Sequence, residues 1–305
     1  MINKNFSVPL VSVIVPCYNH SAYVGYCIKS IIEQDYAEIE LIIIDDGSKD
    51  SSVIEIQKFV SQCEERFERF EFRSRCNKGL CSTINEALNW CQGDFCVIFA
   101  SDDIMMPDRI SKQVSKFLEM VKIEPNLVAI YSGVEMIDSK GEYIKHKLGS
   151  NRFSGFEQAF LRTEFLPTPT CIVLTEKLRS VGGFNPNFMI EDLFIRLKLT
   201  DAGGVFYTMK EPLVKYRQHS DNMSSKSDLI WRGVKEILSE YSGHRLYKNA
   251  LATSMLIQAH DIQKVSKISA LKQIRNAFVL CPKLIFTKSV AKLIVKMFLP
   301  RVSAK

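Results

Sequence analysis

No stretch of this chain is apolar for long enough to cross a bilayer, so the sequence offers no membrane-spanning helix. The opening residues, MINKNFSVPLVSVIVPCYNH, lack a basic start, a long apolar centre and a small-residue cleavage site, and do not read as a signal peptide. None of the nine cysteines is spaced CxxC, their number is odd, and several sit inside apolar runs. That excludes a disulfide framework and a zinc knuckle and leaves the expectation of reduced, buried thiols in a cytosolic protein. Internal repeats and low-complexity segments are missing too. So is acidic charge from Ile262 to Lys305, where ten Lys and Arg stand without one Asp or Glu. That tail carries +10 and leaves −4 of the overall +6 to residues 1–261, which makes it a different object from the body.

What is present suits a soluble α/β protein. The 305 residues are 46% hydrophobic and 24% charged, enough for one large α/β domain with an appendage or for two domains. VSVIV (11–15) and IELIII (39–44) are β-branched runs without alternation, which predicts strands buried on both faces. Between them Ala22, Val24, Cys27, Ile28, Ile31 and Ile32 share one helical face, with Ser21 as the N-cap. A helix over SSVIEIQKFVSQC, an extended FEFRSR, a helix over GLCSTINEALNWCQ with Leu80, Ile84, Ala87, Leu88 and Cys91 inward, and a strand FCVIFA follow. This β-α-β-α-β order predicts a mostly parallel sheet covered on both faces, with ligands beyond the carboxyl ends of its strands. Downstream, PDRISKQVSKFLEMV and IEDLFIRLKLTDAGG read as helices, LVAIYSGVEMID and TCIVL as strands, and GVFYT and LVKYRQ as two final strands. Residues 225–305 read as mostly helical.

Three clusters carry chemistry. Asp45 and Asp46 follow a buried strand, with Gly47 for a sharp turn and Asp50 to cap the next helix; Asp102 and Asp103 follow another. In a parallel sheet both pairs project at one edge, so up to four carboxylates share a crevice and raise one another's pKa unless neutralised. A hard divalent cation with bound phosphates is the natural neutraliser, although either pair alone is equally a cap or turn. Glu191 and Asp192 open a helix whose buried side is Leu193, Phe194, Ile195, Leu197 and Leu199. They suit a helix N-terminus on electrostatic grounds alone, or supply a general base for an acceptor hydroxyl. His219, just past the last strand, is a candidate metal ligand.

VSVIVPCYN, IIIDDGSKDSS, NKGLCSTINEAL, GDFCVIFASDD, MIEDLFIRL and YRQHSDN occur in the order that resembles the family 2 inverting nucleotide-sugar glycosyltransferases, over roughly residues 9–222. The resemblance implies a GT-A (Rossmann-like) mixed, mostly parallel sheet with helices on both faces, as a catalytic domain over 1–222, and a basic helical C-terminal region over 223–305. It implies that Pro16 and Tyr18 lie beside a nucleotide base, that Asp46 accepts a hydrogen bond from uracil with Asp45 supporting the loop, and that Asn77 and Lys78 line the nucleotide pocket. SDD resembles the family's DxD metal motif, with Ser101 where many members have Asp. Asp102 would face the ribose and sugar, Asp103 would ligate Mn²⁺ or Mg²⁺, Asp192 would be the catalytic base beside Glu191, and His219 a late metal ligand. The implied reaction is a metal-dependent, inverting transfer of a hexose or N-acetylhexosamine from a UDP-sugar to a lipid-pyrophosphate-linked saccharide on the cytoplasmic face of a bacterial membrane, in O-antigen or capsule synthesis. A nucleotidyltransferase also uses a strand-end acidic pair, but it would want a Gly-rich basic loop that PCYNHSAY does not supply. A catalytically inactive sugar-nucleotide-binding or membrane-scaffold protein is the non-enzyme alternative.

In the tail, Leu284, Ile285, Val290, Leu293, Ile294, Met297 and Phe298 can share one helical face, with Lys288, Lys292 and Lys296 on another. That pattern suits an anionic membrane surface, with packing on the body or a homodimer contact as the alternative. Its aromatics do not interleave with Arg as a nucleic-acid stacking platform prefers, so nucleic acid is not expected.

Overall fold

The computed structural model describes residues 8–164, 166–220, 227–263 and 265–283. The elements, in chain order, begin with β1 (Val11–Cys17), α1 (Val24–Ile32), β2 (Ile39–Asp45), α2 (Ser52–Gln57), α3 (Val60–Arg66), β3 (Phe70–Ser74) and α4 (Leu80–Trp90). Then come β4 (Phe95–Ile98), β5 (Ile104–Met105), α5 (Arg109–Met120), β6 (Leu127–Ile137), β7 (Tyr143–Lys147), β8 (Arg152–Ser154), α6 (Phe156–Leu161) and β9 (Ile172–Leu174). The last are α7 (Thr175–Ser180), α8 (Glu191–Asp201), β10 (Val205–Arg217), α9 (Ser227–Ser239), α10 (Tyr247–Ile262) and α11 (Lys267–Leu280). The described residues divide into two compact units: one takes the chain through 156 together with 164–187 and 194–220, the other takes 157–163, 188–193 and the residues after 220.

The first unit is built on a sheet ordered β3-β2-β1-β4-β9-β6-β10-β5, with β7 on β6 and β8 on β10. β3, β2, β1 and β4 pair in parallel. β9 is antiparallel to both β4 and β6, and β6 is parallel to β10. Six strands therefore point the same way, and the carboxyl ends of β1, β2, β4, β6 and β10 line one edge. Because successive side chains alternate faces, Leu41 and Ile43 of β2 enter one core, with α1, α3 and α5, while Ile42 and Ile44 enter another, with α4, α7 and the Ile195–Leu199 stretch of α8. Burial on both faces is why these strands read as unbroken apolar runs. The mixed, mostly parallel GT-A-type sheet expected from the sequence is what forms.

Details differ from the sequence reading. GVFYT and LVKYRQ are one strand, β10, which slips register against β6 between Thr208 and Pro212 and again before Val214. Pro212 has no N–H to give the ladder, so the strand bulges there and continues. Its partner is Gly133, where a Cβ would stand 2.9 Å from the Lys147 and Lys210 carbonyl oxygens. Ser21 does not cap α1, which starts at Val24; its N–H donates instead to Asp50 Oδ2 at 3.0 Å. Ala22 and Leu80 are exposed, since each precedes or begins its helix and escapes the buried stripe. The helix expected over SSVIEIQKFVSQC is broken at Lys58–Phe59, and Cys76 is exposed while six of the other cysteines are buried.

In the second unit, Ala270, Ile274 and Ala277 of α11 are buried; Ala270 and Ile274 cluster with Ala259 of α10, and Leu256 and Phe278 pack against that cluster. Gly233 of α9 lies so close to Ile190 that a Cβ would meet its side chain at 2.7 Å. No helix among the described residues is long and apolar enough to cross a membrane. The amphipathic tail segment 284–301 lies outside the described residues.

Candidate active site

The loops after β1 and β2 are tied to each other. Asn19, left-handed at φ 54°, donates its N–H to Ser48 Oγ (2.9 Å) and accepts the Lys49 N–H on Oδ1 (2.7 Å). Pro16, half-buried, is the last but one residue of β1, and Tyr18 just past the strand is 46% exposed. Asp50 accepts the Ser21 N–H, the Ser52 N–H (2.9 Å) and the Ser52 hydroxyl (2.6 Å). Burial works against its charge, but the Ser52 and Ser21 donors outweigh that and draw the carboxyl down to about 2. Ionised Asp50 thus stabilises the fold above its ordinary value of 3.8, and that contribution is lost as pH falls toward about 2. Asp50→Ala is expected to lower the melting temperature at pH 7, with the gap to the parent closing in melts taken from about pH 4 down to about pH 2; a gap that persists there would mean the charge is not what stabilises.

The β2 pair is internally satisfied. Asp45, fully buried, accepts the N–H of Gly47 (3.2 Å) and Ser48 (3.0 Å) and the Ser48 hydroxyl. Asp46 pairs with Arg75 and accepts the Lys78 and Gly79 N–H groups at 2.8 and 2.9 Å. Gly47 is held at φ +77° with its Cα side against the Asn77 backbone, where a Cβ would stand 2.7 Å from Asn77 N. Asn77 and Lys78 are exposed beside it. Asp45 and Asp46 are not among the residues whose donor atoms come together with Asp102, so the four carboxylates do not share one neutraliser as the sequence led one to expect: Arg75 serves Asp46, and backbone amides serve both members of the β2 pair.

The β4 pair splits. Asp103 is 1% exposed; its Oδ1 accepts the Arg217 N–H at 2.8 Å and its Oδ2 is buried without a hydrogen-bond partner. Burial, then the neighbouring Asp102 charge, push its carboxyl well above the usual range, while Arg217 and Arg109 pull the other way. Arg217, 3% exposed at the end of β10, donates from Nε to the Asp102 carbonyl (2.9 Å) and from Nη1 to the carbonyls of Asp138 and Ser139, with its guanidinium 4.9 Å from the Tyr23 ring centre. Asp102 instead meets histidines. Its Oδ2 is 2.9 Å from His219 Nε2, and His20, from the β1 loop, holds Nδ1 2.7 Å from Ser101 Oγ. One donor atom each from His20, Asp102 and His219 lie within 4.8 Å of one another. Atoms bound to one ion at about 2.1–2.2 Å are at most about 4.3 Å apart, so closing by a few tenths of an ångström would let the trio hold a divalent cation. The structure thus gathers Asp102 and His219, and not Asp103, into the candidate metal centre.

Glu191 and Asp192, both half-buried, occupy the first turn of α8 and belong to the second unit.

Residues 12–176 match the model of the family described as Glycosyl transferase family 2. The chain belongs to that family. The chain is 32% identical to a chondroitin synthase of Escherichia coli over 139 residues, 46% of this chain and 19% of that protein. It is 33% identical to an uncharacterized glycosyltransferase of Haemophilus influenzae over 139 residues, 46% and 52% of the two chains. It therefore spans between about a fifth and a half of the length of these relatives. Among solved structures, S. aureus TarS 1-349 in complex with UDP-GlcNAc superposes with a TM-score of 0.62 at 17% identity, over 93% of this chain and 83% of that one. The mannosyltransferase PcManGT from Pyrobaculum calidifontis, in complex with GDP-Man and Mn²⁺, superposes with a TM-score of 0.57 at 16% identity, over 94% and 85%. At those identities the likeness is one of fold. Family membership decides against the nucleotidyltransferase reading.

Within the first unit, Pro16, Tyr18, Asp45, Asp46, Asn77, Lys78, Asp102, Asp103 and His219 all stand at the carboxyl-end edge of the sheet or on the loops that leave it. Sequence reasoning passed over His20, Arg217 and Arg109. For His20 the only signal was its place three residues past β1, in the loop whose first residues had already been singled out.

Proposed function

We propose that this glycosyltransferase moves a hexose or N-acetylhexosamine from a UDP-sugar to a hydroxyl of a lipid-pyrophosphate-linked saccharide, with inversion to a β-linkage, in the assembly of a surface polysaccharide such as O-antigen or capsule. The observation that carries the donor half is the His20–Asp102–His219 cluster at the strand ends, where sheets of this kind take their ligands. Pro16, Tyr18, Asn77 and Lys78 would flank the nucleotide, and the Asp45 and Asp46 bonds would keep its loop in shape. Asp46 already engages Arg75 and two amides, so a uracil N–H would share its oxygens with them. A bound Mn²⁺ or Mg²⁺ would offset charge on the diphosphate and on the leaving nucleoside diphosphate. Asp192 would take the proton of the acceptor hydroxyl as that oxygen attacks the anomeric carbon and the bond to the diphosphate oxygen breaks. Glu191, its neighbour, is the second carboxylate at that helix start.

Thermal melts against UDP, GDP, CDP and dTDP, each with and without Mn²⁺, test the donor site, because a ligand of the folded state raises the melting temperature by mass action. A rise with UDP that depends on Mn²⁺ is expected. A rise with another base would discard the UDP-sugar, and none at all would count against a donor site.

We further propose that the C-terminal region docks on an anionic membrane surface on its cytoplasmic side. The support is α11: Ile268, Leu271 and Val279 are 83%, 49% and 75% exposed, among exposed Lys267, Lys272 and Arg275. The protein should sediment with phosphatidylcholine vesicles only when these contain phosphatidylglycerol, and less so at high salt. Indifference to the anionic lipid, with a dimer in solution, would favour the packing alternative.

A further inference from the structure

We propose that His20 is a cation ligand of this chain, and that His20, Asp102 and His219 hold a transition-type divalent ion before the nucleotide donor arrives. The inference rests on the metal-dependent transfer proposed above and specifies which residues make the site and when it fills.

His20 is held as a ligand needs to be. Its N–H donates to Ser52 Oγ at 2.9 Å, which fixes the backbone that the left-handed Asn19 has just turned. Its Nδ1 is 2.7 Å from Ser101 Oγ. Its ring stands edge-on to His219, at 5.7 Å and 89°, and 6.1 Å from the Tyr23 ring. An outer partner on the imidazole orients the ring, as in the arrangement in which imidazoles usually ligate, and a ring nitrogen of His20 lies within 4.8 Å of the Asp102 and His219 donor atoms. The other two donors are equally constrained. The Asp102 backbone is fixed by the Arg217 Nε–H on its carbonyl, and His219 is flanked by Tyr23, whose ring centre is 4.9 Å away.

Donor chemistry then sets both the ion and the order of binding. Mg²⁺ asks for oxygen ligands and typically binds through one or two carboxylates completed by water and substrate phosphates. A site of one carboxylate and no imidazole would wait for the diphosphate. Two imidazoles and one carboxylate suit Mn²⁺, Co²⁺ and Zn²⁺, and affinity rises along that series. Three protein donors that already lie within 4.8 Å of one another need little from a substrate to close on the ion.

The test uses the whole nucleotide-free chain with ¹⁵N-labelled imidazoles, of which there are five. On adding Zn²⁺, the ring signals of two of the five imidazoles, those of His20 and His219, should shift together and saturate at one equivalent. By titration calorimetry Mn²⁺ should bind without UDP and tighter than Mg²⁺, and His20→Ala should weaken Mn²⁺ binding by at least about 10- to 100-fold, the cost of losing even an outer-shell partner. If the His219 signal moves alone, or His20→Ala binds Mn²⁺ like the parent, His20 is not a ligand. If no imidazole moves until UDP is added, the ion does not precede the donor. Both failures leave the metal-dependent transfer standing. Absence of any cation binding with UDP present would instead remove that reading itself. The labelled parent protein needs no substitution, so a misfolded variant does not shield the proposal.

Discussion

Asp192→Asn is expected to lower kcat by about 100- to 10,000-fold, the usual contribution of a positioned general base, with little change in UDP affinity. Asn keeps the shape and the hydrogen-bonding reach of the side chain but cannot accept a proton at its carbonyl oxygen in the way a carboxylate can. The competing account of this residue is structural: carboxylates in the first turn of a helix are stabilised by the unpaired N–H groups there, by about 0.3–1 kcal/mol. That account predicts a small loss in melting temperature and no large effect on turnover. The two are separated by measuring kcat, KM and melting temperature on the same preparation, since removal of a group that acts only in the transition state lowers kcat and kcat/KM together. Glu191→Gln supplies the comparison, because Glu191 shares the helix start. The large loss should fall on Asp192 and not on Glu191. If it falls on Glu191 the two exchange roles, and if neither variant loses more than a few-fold the base is elsewhere.

How much of this was legible in the sequence follows from how local each feature is. The strands of the parallel half were readable because burial on both faces leaves an unbroken β-branched signature, as in VSVIV and IELIII. The common edge of the two acidic pairs followed from the β-α-β order, since a helical crossover returns the chain to run parallel to the strand it left. What each pair does there was not readable. Asp46 is compensated by Arg75, twenty-nine positions away, and by amides that approach only because Gly47 lets the backbone pass close to Asn77. Asp103 is compensated by Arg217 across 114 positions, which requires β10 to carry past its own proline and run on beside the end of β6. A proline inside an apolar stretch reads as the end of a strand, so the single β10, and with it the arrival of Arg217 and His219 at the mouth of β4, was hidden. His20 was hidden for a related reason: its partners, Ser52, Ser101 and His219, come from the start of α2 and from two other loops. The family resemblance named residues along the chain; pairing across the chain decided which carboxylate faces the histidines.

Arg217→Met should destabilise the protein by about 3–5 kcal/mol, since each buried acceptor left unsatisfied costs about 1–3 kcal/mol and this side chain serves three. The guanidinium is nearly enclosed and its Nε and Nη1 serve three carbonyl oxygens, those of Asp102, Asp138 and Ser139. A Met side chain of similar length fills much of the volume but leaves those acceptors unmet and takes away a positive charge beside Asp103, whose carboxyl is already pushed up by burial and by Asp102. The backbone N–H of residue 217 that bonds Asp103 Oδ1 survives the substitution, so the loss measured is that of the side chain. Urea midpoints at unchanged slope read it directly. Arg217→Lys should fall between parent and Met, because it keeps the charge and loses the fork that reaches several carbonyls at once. Adding Asp103→Asn should recover part of the loss in the Met background and much less in the parent, because the neutral amide no longer needs a cation; that non-additivity is the coupling between the two groups. A Met variant within about 1 kcal/mol of the parent would instead place the compensation of Asp103 with Arg109, the other buried guanidinium that acts on it, and would free Arg217 for a role at the crevice alone.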